Sequence, residues 1–327
     1  MTAPHHHGDR DALPGLVDLA VNVRPGMPPS WLRERLAGVD LARYPDQRAA
    51  VAAVAARHGC DPDEVLLTAG ATDAFVLLAR ALAPRRPFVL HPQFSEPEYA
   101  LRAAGHPVEP LVLDPPFALD PAAVPDDADL VVVGNPTNPT SVLHPAASLR
   151  ALRRPGRLVV VDEAFADCVP GEPESVAGEA GFAVVRSLTK TWGLAGLRVG
   201  YVLAEPALVA RLREVQPHWP VSAPALEACV ACCAPDALEE AAHWAAELAA
   251  RRSTLRGLVG DVAGVEPAAS FLLIRTERPR IWEPLRDKGF AVRRGDTFPG
   301  LDAHWIRVAV RDDATSVAFA HALKECW

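Results

Sequence analysis

Short apolar runs alternate with segments of helical spacing through the first two-thirds of the chain, and this alternation restricts the fold more than any other feature. Val65–Thr68, Phe88–Leu90, Val108–Leu113, Leu130–Gly134, Leu158–Val161, Ala183–Arg186 and Arg198–Leu203 have strand character, with helical spacing over Ala74–Leu82 and Ser95–Ala104. Strands that are apolar along their whole length, rather than at every second residue, belong in a sheet covered on both faces. The predicted fold class is therefore α/β, with a mainly parallel central sheet and helices on both faces. Ligands bind such sheets at the carboxyl ends of the strands. Polar residues are found at those ends: Gly70–Asp73, Asn135–Thr140, Asp162 and Ser187–Lys190.

After Pro206 the pattern changes. An Ala-rich helical region runs from Pro224 to Leu258 with a break near Pro235. Strands are then expected at Ser270–Arg275, Ala291–Arg293 and Trp305–Val310, with a helix at Pro284–Lys288 and another at the end. This second part has α+β character, and 327 residues suffice for one large and one smaller domain. The expected division is an N-terminal segment over 1–35 that joins the small domain, a large domain over 36–235 and the small domain over 236–327.

A formal charge of -8 argues against a nucleic-acid binder, which needs a basic face. No apolar run approaches the roughly 18–20 residues that span a bilayer. The first residues lack the pattern of a secretory signal, so a cytoplasmic enzyme without membrane contact is expected. Of the six cysteines, Cys229, Cys232 and Cys233 cluster with a C-x-x-C spacing. Such spacing can mark a metal or redox site. Here it lies in an Ala- and Leu-rich helical stretch with no second ligand pair, which favours small buried cysteines and no metal. His5, His6 and His7 are expected in a mobile N-terminus.

The run from Ser187 to Tyr201 carries the densest chemistry. Lys190 stands among hydroxyl and small residues, and Arg198 follows eight positions later in a glycine-rich, otherwise uncharged stretch. A lysine that forms a Schiff base needs a partly dehydrated site, because desolvation favours the neutral amine. Flanking hydroxyls and a guanidinium can hold a phosphate dianion. The run is compatible with a pyridoxal-phosphate (PLP) site, and equally with a structural loop bearing a surface lysine.

Taken in order, these segments resemble the fold-type I PLP-dependent enzymes of the class I and II aminotransferase family. Within it, the nearest subgroup holds threonine-phosphate decarboxylase and histidinol-phosphate aminotransferase. The resemblance extends from Leu16 to about Val310. It implies that Lys190 carries PLP and that Arg198, Ser187 and Thr189 bind the cofactor phosphate. Gly70, Ala71 and Thr72 would form the helix N-terminus that shares this phosphate; by themselves they equally make an ordinary capped helix. Asp162 matches the carboxylate that pairs with the pyridine nitrogen and keeps the ring an electron sink. Asn138 matches the residue that donates to the 3′ oxygen, with Ser141 where the family usually has glycine. Phe94 matches the aromatic stacked on the ring, or is a core residue.

Phe165 stands where many aminotransferases have a tyrosine bonded to the 3′ oxygen. Its missing hydroxyl should raise the proton affinity of the lysine–cofactor linkage. Arg307 matches the arginine that grips the substrate carboxylate, although its alternation with apolar neighbours also suits a solvated strand edge. Asn22 completes the substrate pattern. Tyr44, in Arg43-Tyr44-Pro45-Asp46, resembles the tyrosine that reaches the neighbouring subunit's cofactor phosphate, which implies a homodimer with shared sites. His7-Gly8-Asp9 resembles a short segment that approaches the substrate in the decarboxylase subgroup. The Asp-Glu-Ala-Phe and Arg-Ser-Leu-Thr-Lys forms resemble threonine-phosphate decarboxylase. The expected activity is decarboxylation of L-threonine O-3-phosphate for cobalamin synthesis. The alternative is an aminotransferase for histidinol phosphate or an aromatic amino acid.

Overall fold

A computed structural model describes residues 6–260 and 265–327. Its strands, in chain order, are β1 (Val17–Leu19), β2 (Val65–Thr68), β3 (Pro87–His91), β4 (Glu109–Val112), β5 (Leu130–Gly134), β6 (Leu158–Asp162), β7 (Phe182–Ser187), β8 (Gly200–Leu203), β9 (Phe271–Arg275), β10 (Phe290–Arg294) and β11 (Trp305–Ala309).

Seven strands form one sheet in the order β2-β8-β7-β6-β5-β3-β4. Pairing is parallel from β7 through β6, β5 and β3 to β4. Strand β8 runs against both β7 and β2, so the sheet is mixed at this end. The reason is local: the chain leaves Ser187, makes one helical turn over Thr189–Trp192 and re-enters the sheet at Gly200 without a long crossover helix.

Successive residues of each strand point to opposite faces. Val131, Val133, Val159, Val161 and Val184 pack on one side, with the helices Arg48–His58 and Ala223–Cys232. Leu130, Val132, Val160, Ala183 and Val185 pack on the other, with Ala71–Ala81 and Pro206–Val215. Both faces are covered, which is why these strands carry no polar alternation.

The second sheet has the order β1-β10-β11-β9, antiparallel except for the β1–β10 pair. Its core includes Phe271, Ile274, Ile306 and Val308, closed by Trp244 and Leu248 of the helix Pro235–Val259 and by Phe319 and Leu323 of the helix Asp313–Cys326. The Ala-rich region divides as Ala223–Cys232 and Pro235–Val259, with Pro235 in the first helical turn where its missing N–H costs nothing. The short helix expected at Pro284–Lys288 spans Trp282–Asp287.

Cys229, Cys232 and Cys233 are buried in the core of the large sheet, and burial pushes all three thiols above their ordinary range. Among the described residues, no helix is long and apolar enough to cross a membrane. His5 lies outside the described residues. His6 and His7 are not the loose tail expected. The His6 ring bonds Asp11 at 2.9 Å, and the His7 ring bonds Glu96 at 2.8 Å.

Candidate active site

A cavity of about 330 Å³ opens where the carboxyl ends of β2, β6 and β7 meet β11 and the N-terminal segment. Fifteen residues singled out in the sequence line it: His7, Gly8, Asp9, Asn22, Ala71, Thr72, Phe94, Asn138, Asp162, Phe165, Ser187, Thr189, Lys190, Arg198 and Arg307. They come from segments far apart in the chain, and the sheet brings them together because its parallel strands all end on one edge.

Gly70 stands just behind the wall that Ala71 and Thr72 line. It has φ +84°, a conformation that favours glycine, and a Cβ there would stand 2.6 Å from Nη2 of Arg198 and push the guanidinium aside. The helix Ala71–Ala81 begins at the next residue, and its first N–H groups have no partner within the helix. Arg198, itself in the left-handed region at φ +58°, donates through Nη1 to the Ala195 carbonyl at 3.2 Å and through Nη2 to the Ala69 carbonyl at 3.5 Å. With Ser187 and Thr189 beside it, this corner offers a guanidinium, two hydroxyls and a helix N-terminus to one anion.

Asp162 ends β6 and is buried, with Oδ1 accepting from the Ala164 N–H at 3.0 Å. Burial raises its pKa from 3.8 to about 6, against the opposing pull of that N–H and of Lys190. Among the described residues it has no ion-pair partner within 4.0 Å. Lys190 lies not in a loop but within the single helical turn Thr189–Trp192, and its carbonyl accepts from the Arg24 N–H at 3.0 Å. Burial lowers its amine from 10.5 to about 8, aided by Arg307 and opposed by Asp162. The amine sits 5.4 Å from the centre of the Phe165 ring. A dehydrated lysine excludes the reading of an ordinary surface residue.

Arg307 is buried, which excludes the solvated edge that its strand pattern allowed. Nη1 donates to Oδ1 of Asn138 at 2.5 Å, and Nη2 donates to the Ala20 carbonyl. With its amide oxygen turned to the guanidinium, Asn22 accepts from Nε at 3.2 Å and Nη1 at 3.1 Å. Every one of these partners is neutral. Burial pushes the pKa of Arg307 well below its ordinary value, and Arg293 adds to the effect. A buried cation bordered by neutral acceptors and a cavity is a receptor for a carboxylate or phosphate.

Phe94 lines the cavity and also packs on the core. The His7 ring lies 5.7 Å from it. Ser141 takes φ +63°, the conformation that favours glycine, and its Oγ accepts from the N–H groups of Ala268 at 3.1 Å and Ala269 at 2.8 Å. Those bonds tie the loop bearing Asn138 to the segment that leads into β9. Tyr44 is not in the cavity. Its ring is 75% exposed and stacks on Trp219 at 4.2 Å.

Sequence reasoning missed Arg293 and Phe298, which also line the cavity. Nη1 of Arg293 pairs with Asp11 at 3.3 Å, Nη2 donates to the His6 carbonyl at 2.5 Å, and the guanidinium lies 4.7 Å from the Phe298 ring.

The donor set fits pyridoxal 5′-phosphate on three observations: the anion corner at Gly70 and Arg198, the unpaired buried carboxylate of Asp162, and the dehydrated amine of Lys190. The chain matches the model of aminotransferase class I and II over residues 14–323. It is 52% identical over 325 residues to a histidinol-phosphate aminotransferase of Mycobacterium tuberculosis, covering 96% of this chain and 88% of that one. It is 30% identical over 329 residues to the threonine-phosphate decarboxylase of Salmonella typhimurium, covering 94% and 90%. The solved histidinol-phosphate aminotransferase of Sinorhizobium meliloti, in complex with pyridoxal-5′-phosphate, shares the fold with a TM-score of 0.81 at 22% identity, covering 94% of this chain and 89% of that one. By the extent of these matches, the chain belongs to the aminotransferase class I and II family.

Proposed function

We propose that this protein is a PLP-dependent aminotransferase that moves an amino group between a phosphorylated amino alcohol of the histidinol-phosphate type and a 2-oxo acid. The observation that carries this reading is the 52% identity, across 96% of the chain, to relatives named for that reaction. The decarboxylase expected from the Asp-Glu-Ala-Phe and Arg-Ser-Leu-Thr-Lys forms has the weaker support, at 29–30% identity.

When bound, PLP supplies an electrophilic carbon and an electron sink that acidifies the α-carbon of an attached amine. In this reading Gly70, Ala71, Thr72, Ser187, Thr189 and Arg198 bind its phosphate. Asp162 holds the proton on the ring nitrogen, and Phe94 covers the ring. Asn138 engages Arg307 through its amide oxygen, which leaves its NH₂ free to donate to the 3′ oxygen. Lys190 would hold the cofactor's electrophilic carbon and would move the proton at the substrate α-carbon, for which an amine lowered to about 8 is well matched. Arg307 and Asn22 hold the substrate anion. A transaminase must accept two substrates in turn, and a guanidinium with neutral partners can take a phosphate monoester from one and a carboxylate from the other.

The test is purified enzyme with histidinol phosphate and 2-oxoglutarate, assayed for glutamate, beside L-threonine phosphate assayed for carbon dioxide. Glutamate formation with ping-pong kinetics supports the aminotransferase. Carbon dioxide release without any 2-oxo acid replaces it with the decarboxylase. Tyr44, in this reading, completes the site of a second copy in a homodimer.

A further inference from the structure

Glu163 follows Asp162 in sequence and Arg186 precedes Ser187. Side chains alternate along a strand, so with Ser187 lining the cavity Arg186 points to the opposite face. There it is fully buried in a cluster of two guanidiniums and three carboxylates. Its Nη1 donates to Glu163 Oε2 at 2.9 Å and meets Glu172 Oε2 at 2.7 Å, and its Nη2 donates to Asp167. Arg57, from the last turn of the helix Arg48–His58, donates through Nη2 to Asp167 at 2.8 Å and to Glu172 at 3.4 Å. Glu163 also accepts from Ser175 Oγ at 2.7 Å and the Val176 N–H at 2.9 Å. Burial would raise the Asp167 carboxyl, but Arg57 and Arg186 overcome it and hold it at about 2.

The segment between Glu163 and Val176 contains a short 3-10 helix, Ala166–Cys168, several turns and no strand. The backbone ladder to β7 ends with the Glu163 N–H donating to the Val185 carbonyl at 2.9 Å, and beyond it the side-chain clamps on Asp167 and Glu172 tie the segment to Arg186 and Arg57. A buried ionic cluster of this size adds little stability over a well-packed apolar core. Its distinctive effect is geometric.

We propose that Arg57 and Arg186 are positioning residues for the reaction: by clamping Glu163, Asp167 and Glu172 they hold the segment that follows Asp162 and presents Phe165 against the turn that follows Ser187 and presents Lys190. The inference rests on the roles given above to Lys190 and Asp162. Its physical basis is that the segment and the turn are anchored through one guanidinium, Arg186, whose second carboxylate partner is fixed by Arg57.

Arg57→Met is the first test, because the helix that carries Arg57 contributes no residue to the cavity. In the holoenzyme, kcat should fall by roughly tenfold to a hundredfold, the cost of a displaced catalytic group. KM for both substrates should stay within about threefold, since the anion receptor is untouched. The visible circular dichroism of the bound cofactor, scaled to its absorbance, should change as well. If Arg57→Met does not fold, Arg57→Lys and Glu172→Gln carry the same expectation in smaller measure, because lysine keeps the charge without the fork. A lower melting temperature with unchanged kcat and unchanged visible dichroism would make the cluster structural only and overturn the proposal. Wild-type enzyme without a Lys190-dependent visible band would overturn the site reading and this inference together. A normal band that Arg57 variants leave unmoved would overturn this inference alone.

Discussion

Arg293 and Arg307 stand directly opposite each other on the antiparallel strands β10 and β11, and both line the cavity. Two cations on one face repel each other, and the structure treats them differently. Asp11 neutralises Arg293, while Arg307 meets only neutral acceptors. The uncompensated positive charge is thereby left on Arg307, which is why the proposed function gives it the substrate anion.

Arg307→Ala should raise KM for both the amino donor and the 2-oxo acid by roughly a hundredfold, equivalent to about 3 kcal/mol for a charged hydrogen bond lost in a dry site. Steady-state kinetics with each substrate varied in turn would check this. An effect confined to one substrate would mean that the two anions do not share the site.

Replacing Lys190 with alanine should abolish turnover and the visible absorbance of bound cofactor, with the far-ultraviolet dichroism unchanged. Borohydride reduction followed by peptide mapping provides the check. Cofactor still fixed to the protein by borohydride would move the linkage to another lysine.

Asp162→Asn should separate activity from stability. The turnover of the loaded enzyme should fall by about a hundredfold or more, because a neutral amide cannot hold the ring proton. In the cofactor-free protein the change should stabilise. The folded pKa of Asp162 is raised from 3.8 to about 6, so its contribution is complete below pH 4 and is lost as pH rises through 6. At pH 8 the asparagine variant should gain about 3 kcal/mol, and that gain should vanish toward pH 4. Denaturant titrations at the two pH values would decide it. Equal stability at both would show that the buried carboxylate carries no penalty.

Tyr44 tests the shared site. Tyr44 is exposed and does not line the cavity of its own chain, so a role in that chain's pocket is not expected. An inactive Tyr44→Ala variant mixed with an inactive Lys190→Ala variant should regain activity as subunits exchange, since hybrids hold one intact site of two. No recovery, or a monomer by light scattering, would count against a homodimer with shared sites.

The sequence alone determined the edge of the sheet where the site lies. Runs such as Leu158–Val161 are apolar throughout because both faces are covered, and parallel strands deliver all their carboxyl ends to one side. A polar residue at such an end, Asp162 or Ser187, can therefore be placed without knowing the rest of the structure. Lys190 was legible as a residue, but its single helical turn and the reversal of β8 were not, because they follow from how the short return to Gly200 packs.

Tertiary structure alone decided the second sheet's contribution. Arg293 and Arg307 each alternate with apolar neighbours, a pattern shared by buried receptors and solvated edges. Only the antiparallel register and the crossing of the segment Ala20–Asn22 turn both inward. The reaction itself was least legible. The roles proposed for Lys190, Asp162 and Arg198 are common to transamination and decarboxylation, so the choice lies in how the substrate is turned, a property of cavity shape and not of residue order.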